Sequence, residues 1–360
     1  MKRLFALIFA LCLVFSGCAA QPEETAPSTT AEPTAEPTTE ATTVPTEPPV
    51  VYRNPLNGAV LEAPYTGRPV AVVINNLRDC LPQYGVSQAD FIYELETESG
   101  ITRFLAVYSS LDGVASIGPV RSARTFFNSI SVAYDAPIVH CGGSVRGRNA
   151  YTDKSGSKLS TWDHLDERYN GGYFFRDKDR FHNQGYNWEH TLFTSGEKLT
   201  KAMTDKGFTS DTQQDYGMQF AEDVTLNSFV AEKVVVSFRN NKTTSFQYNS
   251  ETGLYAAEQY GGAFMDANNN QQVHFRNVIV LYTPQSFSHD GEYSRSYYEL
   301  IGEGEGYLAI GGQITRIHWS RADLNSPFVY TLADGTPVTL GVGSTYVGIA
   351  CTSSEPVDYE

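Results

Sequence analysis

With 360 residues, 41% of them hydrophobic, the chain is long enough for one large or two modest cores. A formal charge of −15 argues against nucleic acid as the main partner, and five scattered cysteines imply no disulfide framework. An anionic ligand would need a local basic pocket on so acidic a chain.

The first element is an export signal rather than part of a fold. Met1-Lys2-Arg3 is a short basic start, Leu4 to Val14 an apolar run, and Phe15-Ser16-Gly17-Cys18 a small-residue cleavage pattern ending in cysteine. The pattern resembles the lipobox of bacterial lipoproteins, which implies cleavage before Cys18, diacylglycerol on its sulfur and residence on the extracytoplasmic face of the cell membrane. An ordinary secretory peptide is the alternative. No second apolar stretch approaches ~18 residues, so the lipid would be the mature chain's attachment to the membrane. Residues 18–50 follow as a tether rich in Pro, Thr and Glu, with Ala-Glu-Pro-Thr at 31–34 and again at 35–38. It has almost nothing to bury, and its last 32 residues would reach roughly 100 Å in polyproline geometry. Leaving out Lys2, Arg3 and the six tether glutamates, residues 51–360 still carry about −11.

The folded part starts near Asn54. Val70 to Ile74 is a continuous apolar run, expected of a strand covered on both faces. Phe91 to Thr97 and Ile101 to Tyr108 read as strands joined at Ser99-Gly100. The three- and four-residue apolar spacing from Gly118 to Tyr134 predicts a helix with Pro119 in its first turn. Pro137 to His140 is another strand. Arg146 to Trp188 is a polar excursion, after which Thr194 and Glu197 form a capping box for a helix that Gly207 stops. Beyond residue 228 the pattern becomes hairpins: 234–238 with 244–248 across Asn240-Asn241, then strands at 278–282, 307–310, 314–319, 329–332 and 338–340. The fold class is therefore α+β, with a mixed α/β domain over 51–228 and a mainly antiparallel β domain over 229–355.

Several constellations could carry chemistry. Glu94, Glu96 and Glu98 alternate along a strand and so share one face, which must be wet or opposed by cations. Arg121 and Arg124 are spaced to be neighbours on one helical face near an N-terminus, where the helix dipole disfavours cations by ~0.3–1 kcal/mol. An acidic partner or an anionic ligand would offset that cost, and a guanidinium fork suits either. His140 ends a strand before Gly142-Gly143, a place where α/β sheets bind ligands. Cys141 invites a thiol nucleophile, but adjacent strand residues point to opposite faces and make His140 an awkward base for it. The histidines at 164, 182 and 190 match no metal-site spacing, so no metal and no cofactor are expected. Gly302, Gly304 and Gly306 lead into a strand and not a helix, which removes a nucleotide loop. A disulfide among Cys80, Cys141 and Cys351 stays open.

Asn54-Pro55-Leu56, Arg68 to Val72, Ser87 to Glu94, Gly100 to Phe104, Ile117 to Arg124, His140 with Gly142-Gly143-Ser144, Arg276 to Val280 and Gly304 to Tyr307 together make the chain similar to the YerB-type bacterial lipoproteins. The resemblance spans nearly everything after Asn54 and implies an α/β domain followed by a smaller β-rich one. It departs at Thr125, where the pattern has proline, and at Cys141, where it has alanine, which weakens Cys141 as a nucleophile. The family's Ala-Pro-His-Asn stretch stands here as Trp188-Glu189-His190-Thr191. The expected function is a lipid-anchored envelope protein that binds, or also processes, an anionic cell-wall polymer or peptide. Asp90, Arg121 and Arg124 would hold the ligand, and Glu94, His140 and His190 would supply acid–base groups. The alternative is a non-enzymatic scaffold or binding lipoprotein in which the Arg–Glu network is purely structural.

Overall fold

One sheet of eleven strands organises the molecule. The structure, a computed structural model, describes residues 50–98, 100–146, 162–209, 215–290, 292–351 and 357–360. The export signal, Cys18 and nearly all of the tether lie outside these residues. In chain order the elements used below are β1 (Val70–Asn76), β2 (Phe91–Glu98), β3 (Ile101–Tyr108), α1 (Thr125–Ala133), β4 (Ile138–His140), β5 (His164–Asp166) and α2 (Gly196–Lys206). Then come β6 (Phe229–Val230), β7 (Lys233–Ser237), β8 (Thr243–Asn249), β9 (Leu254–Gln259), β10 (Asn277–Thr283), β11 (Gln285–Asp290) and β12 (Tyr293–Tyr298). The last are β13 (Gly302–Ile310), β14 (Gln313–Arg321), β15 (Val329–Leu332), β16 (Thr345–Cys351) and β17 (Val357–Tyr359).

The large sheet runs β6-β14-β13-β10-β16-β2-β3-β1-β4-β5, with β15 paired to β14. Its middle explains the apolar sequences of β1 and β2: both are buried along nearly their whole length because both faces are covered. On one face α1 packs Phe127 and Ile130 against Tyr93, Leu95 and Leu105. Burying each such side chain contributes about 1.5–3 kcal/mol, which holds a nine-residue helix too short to persist alone. On the other face lie α2 and the second, six-stranded sheet built on β7, β8, β9 and β17, contributing Val234, Phe246 and Tyr255 to a core with Ile92 and Phe104.

The chain thus has an N-terminal α/β part and a C-terminal strand-rich part, as expected, and a single sheet runs through both. The seam is β16, which lies parallel to β2 on one side and to β10 on the other. Residues Val50–Glu360 form one compact unit, so the expected break near 228 is not a gap in packing.

Two local expectations need correction. Residues 117–123 are extended and not helical: Arg121 N donates to Val73 O, Val120 N to Leu192 O, and Cys141 N to Arg121 O. These non-local pairings satisfy the backbone more fully than a longer helix would, and override the apolar spacing. The helix begins at Thr125, with Arg124 as an extended N-cap (φ −131°, ψ 159°). The later helix α2 is capped by Ser195, whose side chain accepts from Lys198 N, while Thr194 donates its hydroxyl to Tyr173 O. Gly207 ends it at φ 65° as expected.

Candidate functional site

The acidic row on β2 does not stay on one face. Glu94 pairs with Phe104 and Glu96 with Thr102, but Glu98 pairs with Ile101, because Thr97 is an extra residue in a β-bulge. Glu98 is therefore turned to the face that carries Arg103 and α1, opposite to Glu94 and Glu96.

On that face three guanidinium groups meet one carboxylate. Arg124 Nη2 lies 2.8 Å from Glu98 Oε2, Arg295 Nη1 lies 2.6 Å from the same oxygen, and Arg103 Nη2 lies 3.5 Å from Oε1. Arg103 and Arg124 also donate to the carbonyls of Ser122 and Ala123. The side chains of Arg103 and Arg124 are only 5% and 4% exposed, and that of Arg295, on the hairpin β11–β12, 14%. The Nε atoms of Arg103, Arg121, Arg124 and Arg295 are all buried and, among the described residues, have no hydrogen-bond partner.

The electrostatics reflect this imbalance. Burial would raise the Glu98 carboxyl, but the charges of Arg103 and Arg124 and the bonds from Arg124 and Arg295 hold it down at about 2. The arginines gain no matching benefit: burial, then the like charge of Arg124, pushes the Arg103 guanidinium well below its usual range, and burial outweighs Glu98 for Arg124 as well. Among the described residues one anion is shared by three cations, and buried charge left uncompensated is costly.

Arg121 stands at the edge of this group. Its Nη2 bonds Glu189 Oε2 at 3.0 Å, and Glu189 Oε1 is 3.6 Å from His190 Nε2. His190 Nδ1 accepts from the Asn75 side chain at 3.0 Å, and burial lowers its basicity despite Glu189. Arg121 and His190 are thus brought together through Glu189, next to the Arg124 cluster.

The remaining expected site residues lie elsewhere. Glu94 is fully buried beneath the second sheet, its carboxylate accepting from Asn76, Thr102, Thr244 and Tyr346 and paired with Lys242 Nζ at 3.1 Å. Asp90 precedes β2, about 25 Å along the strand from Glu98, and holds Asn57 and the Ser109 amide while burial raises its carboxyl. His140 turns toward β5: its Nδ1 donates to Gly142 O at 2.7 Å and its Nε2 accepts from His164 Nδ1 at 3.2 Å. Burial pulls His140 down to about 4. The six residues therefore do not converge on one cleft. Cys141 is a protonated thiol, pushed up to about 11 by burial and then by Glu167. Cys80 and Cys141 are free thiols. Lipidation at Cys18 lies outside the described residues. No group of three or more metal-ligating side chains occurs among the described residues, nor a helix long and apolar enough to cross a membrane.

Arg103, Arg295 and the role of Glu98 were not foreseen. Arg103 carries a signal, a lone cation inside the apolar strand Ile101 to Tyr108. Arg295 carries none, because only the tertiary path of the hairpin brings it to β2.

A cavity of about 430 Å³ opens between Thr125, Phe126 and Ser129 of α1 and Tyr298, the last residue of β12, with Glu299, Leu300 and Ile301 after it. These residues directly follow Arg124 and closely follow Arg295 in the chain.

Comparison with known proteins assigns the architecture. The N-terminal domain of "Protein of unknown function (DUF3048)" matches residues 56–209, and the C-terminal domain of the same family matches residues 234–347. The protein named "Putative lipoprotein YerB" of Bacillus subtilis (strain 168) is 27% identical over 300 residues, covering 82% of this chain and 85% of the relative. The crystal structure of YerB protein from Bacillus subtilis superposes with a TM-score of 0.70 at 26% identity, covering 86% of this chain and 99% of that one. With both family domains matched in order and a relative of the same architecture along nearly its full length, the chain belongs to the DUF3048 family of YerB-type lipoproteins.

Proposed function

We propose that this is a lipid-anchored protein of the extracytoplasmic membrane face that holds an anionic cell-wall polymer at the arginine cluster. Diacylglycerol on Cys18 would fix the chain to the membrane, and the tether over 18–50 would let the folded part range into the wall. The observation that carries this reading is the gathering of Arg103, Arg124 and Arg295 on Glu98, with buried, unpartnered Nε groups and Arg121 at the rim. Guanidinium groups so arranged bind oxyanions strongly and with fixed geometry.

Binding is favoured over bond cleavage. Glu94, His140 and His190, the acid–base candidates, are all buried and already hydrogen-bonded, and Cys141 is not a thiolate.

One observation favours the rival structural reading: both Glu98 oxygens already have partners, so the network could serve to clamp hairpin β11–β12 and α1 onto β2. Co-sedimentation with isolated cell walls separates the two. Arg295→Gln should keep the melting temperature within a few degrees while reducing retention at least tenfold. Unchanged retention would leave only the clamp.

A further inference from the structure

Resting on the anion-binding reading above, we infer that the group recognised is a phosphoryl group, taken by the unused Nε edges of the arginine cluster at the N-terminus of α1. Among the described residues, the arginines meet Glu98 through terminal nitrogens: Arg124 Nη2 to both oxygens, Arg295 Nη1 and Arg103 Nη2. A planar carboxylate is thus already present, both its oxygens are engaged, and among the described residues the Nε donors of the three arginines that hold it remain unpartnered. The Nε–Nη edge is one of the forks through which arginine binds oxyanions in bidentate fashion. A second carboxylate would offer two coplanar oxygens. A phosphoryl group offers oxygens in tetrahedral directions, so that guanidinium groups approaching from β3, from the extended segment before α1 and from β12 can each find one.

The backbone supplies an independent complement. Helix α1 has nine residues, its N-cap residue Arg124 makes no side-chain cap, and its first turn holds no acid. Its first amides and its dipole favour an anion, and the sequence provides none locally. The deeply buried, unpartnered Nε atoms of Arg103 and Arg124 lie at this same helix start. Glu98 then acts as a resident competitor: it keeps the arginines gathered and also tempers their affinity.

The test uses full-length protein in non-ionic detergent, titrated calorimetrically with inorganic phosphate, a glycerol-phosphate oligomer, an oligoglutamate of equal charge, and mixed micelles containing phosphatidylglycerol or phosphatidylcholine. The inference expects the glycerol-phosphate oligomer to bind at least tenfold tighter than oligoglutamate, with inorganic phosphate competing. Arg295→Gln should weaken phosphate binding at least tenfold. Glu98→Gln should strengthen it several-fold, a gain that misfolding cannot mimic. Tighter binding of the oligomer than of phosphatidylglycerol micelles identifies a polymer phosphodiester as the source, and the reverse order identifies a lipid headgroup. Oligoglutamate binding as tightly as the phosphate oligomer, with the same dependence on Arg295, would overturn the phosphoryl assignment and leave the anion site standing. No binding of any anion would overturn both.

Discussion

Glu98 Oε2 sits 2.8 Å from Arg124 Nη2 because one extra residue, Thr97, turns the end of β2 over. Without the bulge, Glu98 would join Glu94 and Glu96 beneath the second sheet, and Arg103 and Arg124 would be buried with no carboxylate between them. The pair therefore links a backbone irregularity to the charge balance of the site. Replacing Glu98 by Gln should destabilise the protein at neutral pH by on the order of 3 kcal/mol, the worth of a carboxyl moved from its ordinary value of 4.5 to about 2. The folded-state value is the lower one, so the contribution is full above pH 4.5 and lost as pH falls through 2. Denaturant melts of wild type and Glu98→Gln should converge across that range, and parallel curves would contradict the assignment.

His140 governs a separate, higher window. Burial holds it at about 4, below the 6.5 of an unperturbed histidine, so the unfolded chain takes up the proton first. Stability should be full above pH 6.5 and fall by about 3 kcal/mol as the pH drops toward 4. His140→Gln should flatten this limb while leaving the Glu98 limb intact. An unchanged slope between pH 6.5 and 4 would show that the ring is not the group responsible.

On the opposite face, Glu94 and Lys242 join β2 to the second sheet at 3.1 Å, with both side chains almost wholly buried. Lys242→Met leaves the Glu94 charge unpaired in the core and should cost about 3–5 kcal/mol. Adding Glu94→Gln removes that charge and should recover part of the loss, as read by urea unfolding. A Lys242→Met protein within about 1 kcal/mol of wild type would mean that the hydroxyls of Thr102, Thr244 and Tyr346 suffice by themselves.

Cys141 should behave as an inert thiol. With its ionisation pushed up to about 11, alkylation by iodoacetamide at pH 7.5 should be far slower than for a free cysteine, and Cys141→Ala should retain wall binding. Rapid, stoichiometric labelling would reopen the nucleophile reading.

Much of the scaffold was legible because its signals are local. The buried run at β1, the paired strands β2 and β3, and the Asn240-Asn241 turn, where both residues have positive φ (53° and 59°), follow from side-chain periodicity and turn chemistry. What escaped depends on distant partners. The segment 117–123 has helical spacing but is claimed by β1 and by residues 141–143 and 192–194. Strand β16 inserts between β2 and β10, more than 240 residues along the chain from the former, and nothing in its own sequence names its neighbours. The candidate site suffered for the same reason. Arg124 and an acidic partner on β2 could be read from the sequence, yet the bulge decided which glutamate it would be, and Arg295 arrives on a hairpin not foreseen as a pair of strands.

The most direct measurement of the central claim is the thermal midpoint of the full-length protein in glycerol-phosphate oligomer against chloride at matched ionic strength. A ligand at a hundred times its dissociation constant stabilises the folded state by about 2.7 kcal/mol. The anion-site account predicts a midpoint raised by several degrees in wild type and unmoved in Arg295→Gln. Equal midpoints in the two salts, or a rise that survives Arg295→Gln, would contradict it.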